Sequence, residues 1–359
     1  MSIKINNQNI VALYKGNQVI TEVCKGLDLV WQLVELGMDD DIFFADPEAG
    51  RVLHANGLIV DPIKSSKREL ASITSLNPSG GETTSYFYNN QVLTKFPELK
   101  YCTGLSSLYY TFRGCSNLTE VGNIPNSVTN MEYTFYSCSS LVNAPIIPEG
   151  VTNMSNTFYY CTRLVDAPTI PDSVTNMYGT FYNCSRLVNT PIIPEGVTNM
   201  EYTFFGCRSL DDAPTIPEGI TNMRSTFYGC TSLVNAPIIP NSVTSVYQTF
   251  IECSSLVNAP IIPEGVTNMN QTFYSCSSLV NAPIIPDSVT EMYQTFRYCA
   301  SLNGIFVIKP VTPPTYDDTF RSVNVVAIYV PDESVDVYKN ASGWSEVASK
   351  IYPMSELPE

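Results

Sequence analysis

One histidine, His54, serves the whole 359-residue chain, and no lysine occurs between Lys100 and Lys309. A single imidazole removes histidine-rich metal sites. It also leaves a cysteine–histidine pair with just one base, which would have to choose among equivalent thiols. His54 therefore reads as a structural or surface residue. Lys and Arg together number 19 against 34 Asp and Glu, for a net charge of −15. That balance argues against nucleic acid, whose recognition needs cations to replace phosphate counterions. No apolar run approaches the roughly 18 residues of a membrane span, so no membrane insertion is expected. The start, Met1-Ser2-Ile3-Lys4-Ile5-Asn6-Asn7, has neither a basic segment nor an apolar stretch. It reads as synthesis in a cytosol without a secretory signal. Glycine-rich phosphate loops, GxSxG and HExxH are also missing.

Cysteine is plentiful, at 11 residues, but never in CxxC pairs. Nine of them, from Cys115 through Cys138 and Cys161 to Cys299, fall at a strict interval of 23. Metal ligands must converge on one point, and this ladder spreads them along a line. Small buried thiols are the expectation, with no metal and no cofactor. Asp39-Asp40-Asp41 lacks the alternating oxygen ligands and the glycine of a calcium loop, so a solvated acidic linker is favoured. Asn117 and Asn153 open glycosylation sequons that read as repeat chemistry.

What the chain does have is a repeated unit, C-x-x-L-x-x-x-P-I-I-P-x-G/S-V-T-N-M-x-x-T-F-x-x-C. Leucine recurs from Leu118 to Leu302 and phenylalanine from Phe112 to Phe296 in the same register. Methionine recurs from Met131 to Met292, with Val246 as the exception. A lone 23-residue coil has no opposite wall to bury these side chains against, so coils must stack. Proline donates no N–H, which excludes Pro260-Ile261-Ile262-Pro263 from the ladder. The strand is expected at Val266–Met269, after a Pro-Glu-Gly turn. Thr272–Cys276 is expected as a short helical turn planting Phe273 and Cys276 inside. The tyrosines following most of the phenylalanines (Tyr136, Tyr159, Tyr182, Tyr228, Tyr274) are too regular for recognition and read as a stacked ladder.

The order C-x-x-L … I-x-P-x-x-V-x-x-M-x-x-x-F-x-x-C resembles the 23-residue repeat of the BspA-like leucine-rich-repeat surface proteins, over roughly residues 100–352. It departs from that pattern by an extra residue before Pro263 and one fewer between Met269 and Phe273. The resemblance implies a curved leucine-rich solenoid used for binding rather than catalysis. The expected fold is thus a leucine-rich-repeat-like parallel β-solenoid with short helical turns, preceded by a small antiparallel all-β module. Residues 1–35 alternate apolar and polar positions with strand period and form that module. They resemble N-terminal modules of virion proteins from tailed phages, including crAss-like phages. Residues 36–101 are read as a linker and N-terminal cap with a helix near 66–76, residues 102–318 as the repeats, and residues 319–359 as a C-terminal cap.

Internal repetition also separates fixed positions from free ones. The two slots after the methionine position vary most. They supply a candidate strip of Glu132, Tyr133, Asn156, Tyr178, Glu201, Tyr202, Arg224, Tyr247, Gln248, Asn270, Gln271, Tyr293 and Gln294. Tyr and Arg are over-represented in binding hot spots. The first reading is a non-enzymatic phage virion protein (fibre, decoration or receptor contact). Residues 1–35 would join it to other virion proteins, and the solenoid would meet a host surface protein, a glycan or a second copy of the chain. The alternative is a bacterial cell-surface adhesin. A glycan-active enzyme is the third reading, and the scattered acids give no carboxylate pair a distinctive spacing.

Overall fold

The structure, a computed structural model, describes residues 12–15 and 18–21, most of 74–100, and 102–358. His54 and Asp39–Asp41 lie outside the described residues, as does most of the proposed helix near 66–76; residues 74–77, at its end, are not helical. Of the N-terminal module the structure describes one antiparallel hairpin, β1 (Ala12–Lys15) with β2 (Gln18–Thr21).

From Ser107 onward, each coil pairs in parallel with the next at a 23-residue offset. Asn130 bridges to Asn153, Asn153 to Asn176 and Asn176 to Asn199, and the column resumes from Asn222 through Ser245 and Asn268 to Glu291. This is where the strand was expected, but it is one bridged residue per coil rather than four. Turns on either side cut it short: Val266 N–H closes on Pro263 O, and Thr272 N–H on Met269 O. A second bridge column runs through Asn235, Asn258 and Asn281, just before the Ala-Pro step. Nothing in the proline argument signalled it, because proline marks where a donor is missing and not where pairing resumes.

The segment expected as a helical turn is instead a run of β-turns. Amides of Thr272, Tyr274 and Cys276 close onto Met269 O, Gln271 O and Phe273 O three residues back. The intervening amides of Met269, Gln271, Phe273 and Ser275 donate forward to Glu291, Tyr293, Thr295 and Arg297 of the next coil (2.8–2.9 Å). Gln271 and Ser275 take positive φ, 53° and 59°, as the third residue of a type II turn requires. Every backbone amide from 271 to 276 therefore has a partner, half within the coil and half in its neighbour.

Two side chains per coil complete this network. The Thr272 hydroxyl donates between Met269 O (2.8 Å) and Val246 O (3.0 Å), the latter in the preceding coil. The Cys276 thiol donates to Phe250 O of the preceding coil at 3.0 Å. The same pair of bonds recurs from Thr134 and Cys138 onward, so threonine and cysteine are fixed by what the neighbouring coil's carbonyls need. Burial pushes the thiols' pKa upward, to about 12 for Cys115 and Cys299 and well above the usual thiol range for Cys276.

Inside, the phenylalanines form a stack with ring centroids 5.5–5.8 Å apart between Phe112 and Phe296. Leu279, Val266 and Met269 are wholly buried with them. The isoleucine pair between the prolines divides, however: Ile239 is 5% exposed while Ile238 is 89% exposed, and the same split holds at Ile192 and Ile193 and at Ile261 and Ile262. Neighbours in an extended segment point to opposite sides, so one isoleucine of each pair enters the core and the other faces out.

At the far end, β3 to β4 having opened the array with a short parallel pair (Lys95–Phe96, Glu120–Val121), three parallel strands follow. These are β5 (Asn303–Val307), β6 (Asn324–Val330) and β7 (Ile351–Pro353). Between β6 and β7 lie a helix α1 (Val335–Asn340) and a 3-10 helix at Trp344–Lys350. Phe320 continues the phenylalanine stack, and Trp344 packs edge-on against it at 6.1 Å. Tyr338 Oη and Trp344 Nε1 donate to Pro310 O and Pro314 O, so both polar tips are paired in burial. Thr319, displaced by one residue from the period, still reaches Met292 O.

Candidate binding face

The variable strip begins where an asparagine turns the chain. Asn176 Oδ1 accepts from Tyr178 N–H (3.0 Å), and Asn268 Oδ1 accepts from Asn270 N–H (2.9 Å). This Asx turn aims the first variable slot away from the core. Tyr178 (36% exposed), Arg224 and Tyr293 are exposed there, while Glu132, Glu201, Tyr247 and Asn270 are half-buried.

The second slot behaves differently. It is the turn position with positive φ in every coil: Tyr133, Asn156, Gly179, Tyr202, Ser225, Gln248, Gln271 and Gln294. Asn156 and Gln294 are buried, and Tyr133, Tyr202, Gln248 and Gln271 are half-buried. The glutamines join a ladder, Gln248 Nε2 donating to Gln271 Oε1 (2.7 Å) and Gln271 Nε2 to Gln294 Oε1 (3.0 Å). The strip is thus an outward row flanked by an inner polar ladder. Its one legible sign was Gly179, a residue type that left-handed turn positions favour.

Beside the second slot runs the tyrosine ladder. Tyr136, Tyr159, Tyr182, Phe205 and Tyr228 stack face to face with centroids 4.2–4.5 Å apart. The expected structural ladder is there from Tyr136 to Tyr228, while Tyr274, beyond Ile251, meets Tyr298 edge-on instead; over three coils the ladder is also the wall of a groove. Gly179 has no side chain, and a Cβ there would meet Asn156 Oδ1 at 2.5 Å. Between the tyrosines of the flanking coils this leaves a groove of about 280 Å³. Its lining is Tyr133, Tyr136, Asn156, Tyr159, Tyr178, Tyr182 and Tyr202. Burial, reinforced by neighbouring phenols, holds the Tyr159 hydroxyl well above its usual pKa. Tyr178 is raised in the same direction by burial, then by Tyr202 and Glu201. Tyr159 and Tyr178 therefore present neutral phenols to the groove at any physiological pH. Arg224 closes one end, its guanidinium 5.5 Å from the Tyr202 ring and 5.2 Å from Tyr247. Among the described residues no helix is long and apolar enough to cross a membrane.

A family profile, BspA type leucine rich repeat region, matches the chain in overlapping stretches at residues 84–211, 179–303 and 223–342. No curated protein matches the sequence. Among solved structures, a leucine-rich repeat protein from Bacteroides ovatus is 20% identical, covers 72% of this chain and 83% of its own, and has a TM-score of 0.41. A leucine rich cell surface protein from Faecalibacterium prausnitzii is 21% identical over 61% of this chain and 77% of its own, with a TM-score of 0.33. A leucine-rich repeat protein from T. pallidum is 24% identical over 39% of this chain and 70% of its own, with a TM-score of 0.30.

Proposed function

The chain belongs to the family of BspA-type leucine-rich repeat regions, and from that premise we propose that it is a non-enzymatic binding protein. Its repeats form a solenoid that presents the strip from Glu132 to Gln294 to a partner protein or glycan. The observation behind this reading is how each coil uses its residues. Thr, Phe, Cys and Leu are taken up by buried hydrogen bonds and packing. The first variable slot combines full or partial exposure with changing chemistry in most coils: Glu132, Tyr178, Glu201, Arg224, Tyr247, Asn270, Tyr293. Tyr there supplies large contact area at low entropic cost, and Arg is enriched among hot-spot residues.

The setting has two readings. Membership of a family of surface proteins favours the bacterial cell surface. The resemblance of residues 1–35 to phage virion modules favours attachment to other virion proteins, with residues 36–101 linking that anchor to the repeats and residues 319–359 closing them. Fractionation separates the two: recovery with intact particles supports the virion reading, and recovery only with cell envelopes removes it.

For the strip, replacing Tyr178, Tyr202 and Tyr247 together with Ser is expected to weaken partner capture by tenfold or more. The loss corresponds to at least about 1.4 kcal/mol, as hot-spot tyrosines give. The melting temperature should move only a few degrees, since none of the three is in the core. Unchanged capture rejects the strip.

A further inference from the structure

The tyrosine groove has a chemistry that the strip as a whole does not. We infer that it is a subsite for an organic cation, a guanidinium or a quaternary ammonium head, carried by the partner or free in solution. This deepens the binding reading and rests on it. The first ground is that the same tyrosine face already receives cations from the chain itself, at both ends of the groove. Arg113 sits 4.8 Å from the centroid of Tyr136, and Arg224 lies 5.5 Å from that of Tyr202. Both rings line the groove. A third instance, Arg297 at 4.9 Å from Tyr298, lies farther along. Ring faces attract a cation through their quadrupole, and more strongly where water is excluded.

The second ground is charge. Between those two arginines no lining residue is positive. Where coil 224 carries its arginine, the coils around the groove carry Glu132, Ser155, Tyr178 and Glu201. Glu132 acts electrostatically on Tyr133, and Glu201 on Tyr178. Glu132 and Glu201 thus place carboxylates beside the groove, and at Tyr178 Glu201 acts together with the opposing charge of Arg224. The third ground is shape. Tyr178 and Tyr202 are tilted by 59°, and Tyr133 and Tyr136 by 43°, so the wall is not one flat stack. At about 280 Å³ the groove is at the lower edge of ligand sites, roughly 300–1,000 Å³, which suits a single head group. Asn156, buried beneath, adds an amide that can accept from a guanidinium.

The test is a titration of the full chain, with ring-labelled tyrosines followed by NMR at constant ionic strength. The probes are tetramethylammonium, N-acetyl-arginine amide, the neutral isostere neopentane alcohol, and methyl glucoside. Saturable shifts with either cation, at least tenfold tighter than with the neutral alcohol, support the subsite; which of the two saturates tells quaternary ammonium from guanidinium. Tyr178→Leu should weaken that binding tenfold or more, and Glu201→Gln about threefold. Tyr178 is partly exposed and thermal melts will show the variant folded. Four results overturn the proposal: no saturation by either cation, equal binding of the alcohol, saturation by the glucoside alone, or unaltered binding by Tyr178→Leu. If the triple tyrosine-to-serine variant loses its partner while no cation binds, the strip stands and only the ligand class falls.

Discussion

Cys230 shows what a single residue contributes and what titrates it away. Its thiol is fully buried and donates to Phe204 O at 3.1 Å, so the fold requires the neutral form. Desolvation raises its pKa far above the thiol value, while in the unfolded chain it ionises near the ordinary value of about 8.5. Between those two values the folded state holds the proton and the unfolded state does not, so stability falls as pH rises. The contribution is fully present below about pH 8.5 and is lost above it, each such thiol adding a slope of about 1.4 kcal/mol per pH unit. Melting temperatures should be flat in this respect from pH 6 to 8 and drop between pH 8.5 and 10.5. In Cys207→Ala/Cys230→Ala the drop should be shallower by two thiols' worth; an identical slope would show that the ladder is not the titrating element. The burial of these thiols could be read from their 23-residue period. Their role as donors could not, because each acceptor belongs to a different coil.

At the scale of one coil, period and polarity located the core but not the direction of every side chain. Leu, Met, Cys, the Phe of each Thr-Phe step and the Val that precedes Thr (as Val266) point inward as their repetition suggests, while the Val after each Leu, as at Val188, Val234 and Val280, is exposed. Repetition alone does not mean burial: within the isoleucine pairs, Ile192, Ile238 and Ile261 repeat while standing almost free of the coil. The two members of a pair should therefore differ sharply in urea unfolding. Ile239→Ala removes a buried side chain and should cost 2–5 kcal/mol, roughly the range for large core deletions. Ile238→Ala, one residue away, should stay within about 0.5 kcal/mol. Comparable costs would mean that Ile238 is covered in solution. The turns were the other illegible part: φ has no sequence signature when the residue is Tyr or Gln, and Gly179 was the lone clue to a left-handed position that all eight coils share. The candidate site followed the same pattern. Its outward slot was visible as variability, while the groove depended on a missing side chain and on tyrosines that looked purely structural.

Across the whole molecule, stability is passed from neighbour to neighbour. The Met, Gln, Phe and Cys–1 amides of one coil donate to the next, while its Thr and Cys side chains donate to the one before. Among the described residues the hydrogen-bond ladders join adjacent coils, and the exposed Lys309–Glu264 ion pair (3.0 Å) reaches two coils back, so the energetics are close to nearest-neighbour. Removing Ser254–Cys276 deletes one full 23-residue period and joins Cys253 to Ser277-Ser278-Leu279. That repeats the local order Cys253-Ser254-Ser255-Leu256. Phe296 would then stack on Phe250, and the Thr295 hydroxyl would meet Val246 O, each inheriting the partner of the residue removed. The shortened chain should fold cooperatively with a lower melting temperature, and the groove from Tyr133 to Tyr202, two coils upstream, should bind as before. Removing only Ser254–Gly265 is about half a period and sets Val266 where Ser254 belonged. The phenylalanine and cysteine ladders would then be out of register for every later coil, and circular dichroism should show the part of the array after Cys253 lost. If the half-period deletion melts like the full one, pairing between coils is not set by the 23-residue register, and the stacking described above does not hold the molecule together.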